Sequence, residues 1–129
     1  MEYLGEGQYQ LVVAPARTVD LAEGDVFQID PDSLRPIVLQ RSGNLTLWVY
    51  GEPGLDMSPL AAQMGAIGGR FDGVARGAIA IFTVPVIATF AAVEAILEAF
   101  VAGHSERSWM YGNVHGDDGV TPLGWWESM

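Results

Sequence analysis

One imidazole and two carboxylates stand within four positions in His115-Gly116-Asp117-Asp118-Gly119, the most metal-like grouping in the chain. Such a set can ligate a divalent ion, with His104 joining from the end of a long helix. The spacing matches no recognised metal site, however. Asp-Asp-Gly is also an ordinary solvated turn, and an imidazole just past a helix end is favoured there by the dipole alone. Neither a metal nor a cofactor is therefore expected. Gly65-Ala66-Ile67-Gly68-Gly69-Arg70 is glycine-rich enough to suggest a phosphate loop. Phosphate loops precede a helix and aim its amino end at the anion, whereas these glycines end a helix and enter a strand. The six serines, at positions 33, 42, 58, 105, 108 and 128, fall in turns, caps or the tail, and none sits in a nucleophile elbow. No carboxylate pair stands out for hydrolysis. Catalysis is not expected, and an enzyme using His104 or His115 with Asp117 or Asp118 is the residual case.

Composition narrows the partners. Sixteen acids against six bases give the 129-residue chain a formal charge of −10, and every base is an arginine. Nucleic-acid binding needs a cationic surface, so that class is disfavoured, as is an anionic membrane. An acidic surface steers basic proteins toward it instead. Hydrophobic residues make up 50% of the chain, enough for a core in one domain spanning 1–129. Cysteine is absent, which removes disulfides, thiolate nucleophiles and Cys-ligated zinc. The acidic start, Met1-Glu2-Tyr3-Leu4-Gly5-Glu6, lacks the basic and apolar regions of a secretion signal, and the cytoplasm is the expected address. Seventeen uncharged residues separate Arg76 from Glu94. Pro85 divides them into β-formers and a helical period, so strand then helix is expected rather than a membrane span.

Turn signals divide positions 1–43 into short strands, at Tyr9–Val13, Val26–Ile29 and Ile37–Gln40, with Asp30-Pro31-Asp32-Ser33 as a strong turn. The part from 44 to 114 begins with the strand Leu45–Tyr50. Ser58-Pro59 then starts a helix, with the serine able to cap it and Leu60, Met64 and Ile67 at helical spacing. Gly65, Gly68 and Gly69 end it. Strands Phe71–Val74 and Ala78–Val84 follow, then a helix over Phe90–Ala102 capped by Thr89, and a strand over Ser108–Val114. The order strand, helix, strand, strand, helix, strand predicts α+β architecture with a ferredoxin-like βαββαβ unit, both helices lying on one sheet face. Positions 115–129 read as an irregular tail. In Leu45–Tyr50, alternation sends Leu45, Leu47 and Val49 under the helices and Thr46, Trp48 and Tyr50 to the opposite face. Aromatics of that size need cover, from the N-terminal strands or from a partner.

The segment Gly5–Val12, the Leu21-Ala22-Glu23-Gly24-Asp25-Val26 run with Asp30-Pro31-Asp32, and Arg41-Ser42-Gly43-Asn44-Leu45-Thr46-Leu47 together resemble a family of short bacterial proteins known only as a domain of unknown function. A helix, a Gly-rich turn and a strand ending at Val84-Pro85 continue the likeness to about Tyr111. Where that family has an apolar-Pro-Phe step, this chain has Ala14-Pro15-Ala16. The resemblance implies the fold and a bacterial origin, and no activity.

Two features suggest a docking surface. On the helix Phe90–Ala102, Phe90, Val93, Leu97, Phe100 and Val101 form the packing stripe, while Glu94 and Glu98 share another face with Ala91, Ala95 and Ala102. Like charges one turn apart cost a helix a few tenths of a kcal/mol, and no base on this helix offsets them. In the tail, Trp125 and Trp126 are either a hydrophobic clasp over the body or anchors for a partner. The expected function is a small acidic module that binds a basic protein, as an immunity or antitoxin protein occludes a bacterial toxin. Glu94, Glu98, Asp117, Asp118, Trp125 and Trp126 are its expected contacts. A regulatory domain that binds a small molecule is the alternative.

Overall fold

The structure is a computed structural model that describes residues 1–12, 21–75, 79–115 and 121–128. It is an α+β arrangement of two antiparallel four-stranded sheets and two α-helices. The first sheet runs in chain order: β1 (Glu2–Gly5), β2 (Gln8–Gln10), β3 (Val26–Ile29) and β4 (Pro36–Gln40). β1 was not expected as a strand of its own. Gly5 pairs with Gln8, leaving Glu6 and Gly7 as a two-residue connection, and both have positive φ, 54° and 77°. That is the backbone a tight hairpin with right-handed twist requires. Asn-Gly or Asp-Gly announces such a turn, whereas Glu-Gly does not. Across the sheet, Tyr3 faces Tyr9 and Tyr9 faces Phe27, with ring centroids 5.1 and 5.7 Å apart. Such cross-strand aromatic pairs are what hold a small sheet together.

The second sheet contains β5 (Asn44–Tyr50), β6 (Arg70–Ala75), β7 (Ile79–Pro85) and β8 (Ser108–Tyr111), in the order β6-β7-β5-β8. Between them lie α1 (Ser58–Ala66) and α2 (Phe90–Val101). Both helices pack on one face: Leu60 and Met64 of α1 and Val93 and Leu97 of α2 meet Leu47, Val49, Ala80, Phe82 and Val84. Each of the larger side chains contributes about 1.5–3 kcal/mol by leaving water. No helix among the described residues is long and apolar enough to cross a membrane. Met57, not Ser58, occupies the N-cap of α1. Ser58 is already helical, and its N–H donates to Asp56 Oδ1 at 2.9 Å. Thr89 does cap α2, its hydroxyl accepting from the Ala92 N–H at 3.3 Å. β8 stops at Tyr111, three residues earlier than the sequence suggests, because Asn113 turns inward to bond the backbone of β5.

The end of α1 illustrates local control. Gly68 has φ 87°, and paired bonds run from the Gly69 N–H to Met64 O (2.8 Å) and from the Gly68 N–H to Gly65 O (3.1 Å). This is the Schellman closure, which satisfies the last carbonyls of a helix. A Cβ on Gly69 would lie 2.9 Å from both Met64 O and Val84 Cγ2. Since one of those atoms is backbone, Gly69→Ala is expected to lower stability by about 1–3 kcal/mol, read as a reduced urea midpoint.

The two sheets are joined through polar contacts, some of them fully buried. Asp25 is 1% exposed and accepts from the Ala22 N–H (3.0 Å) and the Ser42 N–H (2.8 Å), with Arg41 at 3.5 Å. Burial pushes its carboxyl above the ordinary range, against those two N–H donors and Arg41. Thr46 donates its hydroxyl to Leu21 O, and the Asn44 side chain donates to Glu23 O. Arg70 pairs with Glu23 and Asp72, and Thr83 donates to Asp72. On the sheet face away from the helices, Trp48 is 6% exposed and packs with Ile81, while Tyr50 is half-buried. Trp48 is therefore covered by its own chain and is unavailable to a partner.

A further tether joins the loop after β5 to the chain beyond α2. Arg107 donates to both oxygens of Glu52, at 2.8 and 3.2 Å, and to Phe100 O at 3.1 Å. The Arg107 hydrogen bonds hold the Glu52 carboxyl down at about 2, against an ordinary 4.5. A depressed carboxyl stabilises the fold above its unfolded pKa and loses that contribution as pH falls through the folded value. Stability should thus decline from pH 4.5 toward about 2 as this pair is protonated. Melting temperatures of Glu52→Gln across that window are expected to fall less steeply than those of the parent.

Candidate functional site

The outer face of α2 is open to solvent along its length: Ala91, Glu94, Ala95, Glu98 and Ala99 are all exposed. Neither Glu94 nor Glu98 makes an ion pair among the described residues. Three of the described arginines are engaged elsewhere. Arg41 is held by Asp25, Arg70 by Glu23 and Asp72, and Arg107 by Glu52. A helix with no base of its own thus presents two carboxylates one turn apart that no described cation pairs.

The tail folds back beside the start of this helix. The Leu123 N–H donates to Val114 O at 2.7 Å, and the Trp125 indole N–H donates to Asn113 O at 2.8 Å. Trp125 meets Trp126 edge-on at 5.4 Å, and the Arg41 guanidinium lies 5.7 Å from the Trp125 ring centre. Trp126 in turn meets Phe90 at 5.1 Å, and Phe90 meets Tyr111 at 5.5 Å. Both tryptophans are half-buried, so the tail is a clasp. Trp126 also remains at the surface as one wall of an apolar groove of about 430 Å³, lined by Val86, Ile87, Thr89, Phe90 and Trp126. Ile87, on a short 3-10 turn between β7 and α2, is 87% exposed.

Tyr111 connects the groove to the acidic stripe. Its ring packs on Phe90, and its buried hydroxyl lies beside the Glu94 carboxylate, just outside strict hydrogen-bond geometry. Burial first, and then the negative charge of Glu94, push the phenol well above its ordinary value, so it stays protonated. Phe90, Tyr111, Trp126 and Glu94 are therefore neighbours, with Glu98 one turn beyond and Trp125 behind Trp126. Asp117 and Asp118 lie outside the described residues. His104 is exposed just past α2, and His115 is half-buried in a bridge to Pro122. Among the described residues no group of three or more His, Cys, Asp or Glu side chains is placed to hold a metal ion.

Sequence reasoning missed Ile87 and Tyr111 and read Phe90 only as part of the packing stripe. The signal for Phe90 was present: it stands four residues before Glu94 and eight before Glu98, so the three share one line along the helix. Nothing local marked Ile87, because its exposure depends on how the 3-10 turn leaves the sheet. Chemically, this surface can hold an apolar side chain and attract cations.

The same fold occurs in a hypothetical protein from Neisseria gonorrhoeae, with a TM-score of 0.68 at 15% identity over 84% of this chain and 77% of that one. At that identity the likeness is one of fold. No curated protein matches the chain. The family model for a domain of unknown function (DUF4265) matches residues 1–111, which include Phe90, Glu94, Glu98 and Tyr111 and end before Trp125 and Trp126. By that match, over most of its length, the chain belongs to the DUF4265 family.

Proposed function

We propose that this chain is a protein-binding module that takes a basic partner on the α2 face, acting in the cytoplasm as an immunity or antitoxin protein. The observation that carries the reading is the Glu94–Glu98 stripe, free of ion pairs among the described residues and running into an exposed apolar groove, in a protein of charge −10. Exposed apolar surface beside charge of one sign is the usual make-up of an interface centre and its steering rim. We also read the second sheet, from its order β6-β7-β5-β8 and its two helices on one face, as a ferredoxin-like unit. In such a unit the outer helix faces are the natural docking surfaces once the far sheet face is covered, as it is at Trp48.

A tagged pull-down in moderate salt, with mass spectrometry of the retained proteins, tests the reading. One stoichiometric basic protein whose toxic or enzymatic activity is suppressed by this chain is the expected result. Reversing both charges in E94K/E98K should then weaken that complex about 10- to 100-fold, mostly through the juxtaposed like charges. Recovery of no partner, or of one indifferent to those substitutions, overturns the assignment of this surface.

A further inference from the structure

We propose that the groove at Ile87, Phe90 and Trp126 seats one apolar side chain of a basic helix in the partner, whose cations four and eight residues along reach Glu94 and Glu98. This rests on the protein-binding reading and gives it a geometry. Phe90, Glu94 and Glu98 fall on successive turns of α2, so the groove and the two carboxylates are spaced at about 6 Å steps. A partner helix laid alongside presents positions i, i+4 and i+8 at the same interval. On its exposed side the line is flanked by Ala91 and Ala95, and small side chains let helix axes come close.

The groove itself has features of a seat. Ile87 is almost wholly exposed, and the neighbouring Thr89 has φ 75°, an outlying conformation for a β-branched residue. Strain of this kind persists where surrounding structure enforces it, commonly at ligand clamps. Here the enforcement includes the Thr89 cap on α2. The occupant follows from charge. A second copy of this chain would bring another −10 and a second acidic stripe, and nucleic acid would bring phosphates; both are repelled. A cationic segment with one bulky apolar anchor satisfies the groove and the stripe together.

The test uses the purified full chain and a hydrocarbon-stapled helical peptide of about 16 residues, long enough for the three contacts. It carries one leucine and, four and eight residues later, two arginines; a control of the same composition has both arginines moved two residues along. Calorimetric titration should show the matched peptide binding about tenfold or more tighter than the control. The substitutions I87E and, separately, E94Q/E98Q should each remove that advantage, with unchanged circular dichroism, since all three sites are at the surface. Equal binding of the two peptides, or an advantage that survives both variants, overturns the proposal. If E94K/E98K weakens a pulled-down partner that the matched peptide does not displace, the helix geometry is wrong while the protein-binding reading stands. Absence of both partner and peptide binding removes the two together.

Discussion

Phe82→Ala is expected to cost about 3–5 kcal/mol, among the largest losses from a single truncation in this chain. Phe82 lies at the middle of β7 and is fully buried, with Leu47 of β5 opposite on one side and Phe71 of β6 on the other. Its ring is 5.2 Å from that of Phe71, and the two helices close the core above it. Removing the ring loses its transfer free energy and leaves a void that hydrogen-bonded strands on both sides prevent from collapsing. Against a typical stability of about 5–15 kcal/mol, the variant stands near unfolding at ordinary temperature. Urea denaturation should show a much lower midpoint with an unchanged slope. A loss under about 1 kcal/mol would mean the helices do not pack here as described. Phe82→Leu, which keeps most of the volume, should recover most of the stability.

The second large effect concerns Asn113, which is 1% exposed and joins three segments. Its Oδ1 accepts from the Thr46 N–H at 2.9 Å, its Nδ2 donates to Asn44 O at 2.8 Å, and its carbonyl accepts from the Trp125 indole at 2.8 Å. Alanine would leave a buried backbone donor, the Thr46 N–H, and a part-buried backbone acceptor, the Asn44 carbonyl, without these partners. Each such orphan costs about 1–3 kcal/mol, so Asn113→Ala should lose about 2–4 kcal/mol even though little volume is removed. Asn113→Asp discriminates between lost bonds and lost packing. It keeps the acceptor for Thr46 but faces Asn44 O with another oxygen, so it should also be destabilised, and less so at low pH where the acid can donate. Because the indole bond is made to the backbone carbonyl, Trp125 should stay docked in any folded fraction. Tryptophan fluorescence of the clasp would then report whether it loosens before global unfolding.

The relation between sequence and structure differs by element. α2 was legible because its apolar stripe, its Thr89 cap and Gly103 are all local signals, and the helix runs over Phe90–Val101 within one residue of expectation. The end of α1 was equally legible, since only glycine takes the positive φ at Gly68 without strain. The direction in which β5 faces followed from alternation at its centre, with Leu47 and Val49 against the helices and Trp48 packed on the other face. The cap of α1 was misread because the helix already includes Ser58: Met57 takes the cap position, and Asp56, one residue before it, accepts from the Ser58 N–H. The first hairpin was missed because a Glu-Gly pair takes a turn its residue types do not advertise.

The candidate surface divides along the same line. That Glu94 and Glu98 share a face free of bases is a property of helical spacing, written in the sequence from the outset. That Trp126 closes on Phe90, that Ile87 projects, and that Trp48 is covered from within depend on contacts between residues far apart in the chain. Thr46 and Asn113, which help set where the tail docks, are separated by 67 positions. Local periodicity, turn chemistry and net charge act over a few residues or over the whole composition, so a sequence states them directly. Packing of a clasp against a helix end is chosen among many pairings by shape and by satisfaction of buried polar groups, and only the folded chain makes that choice.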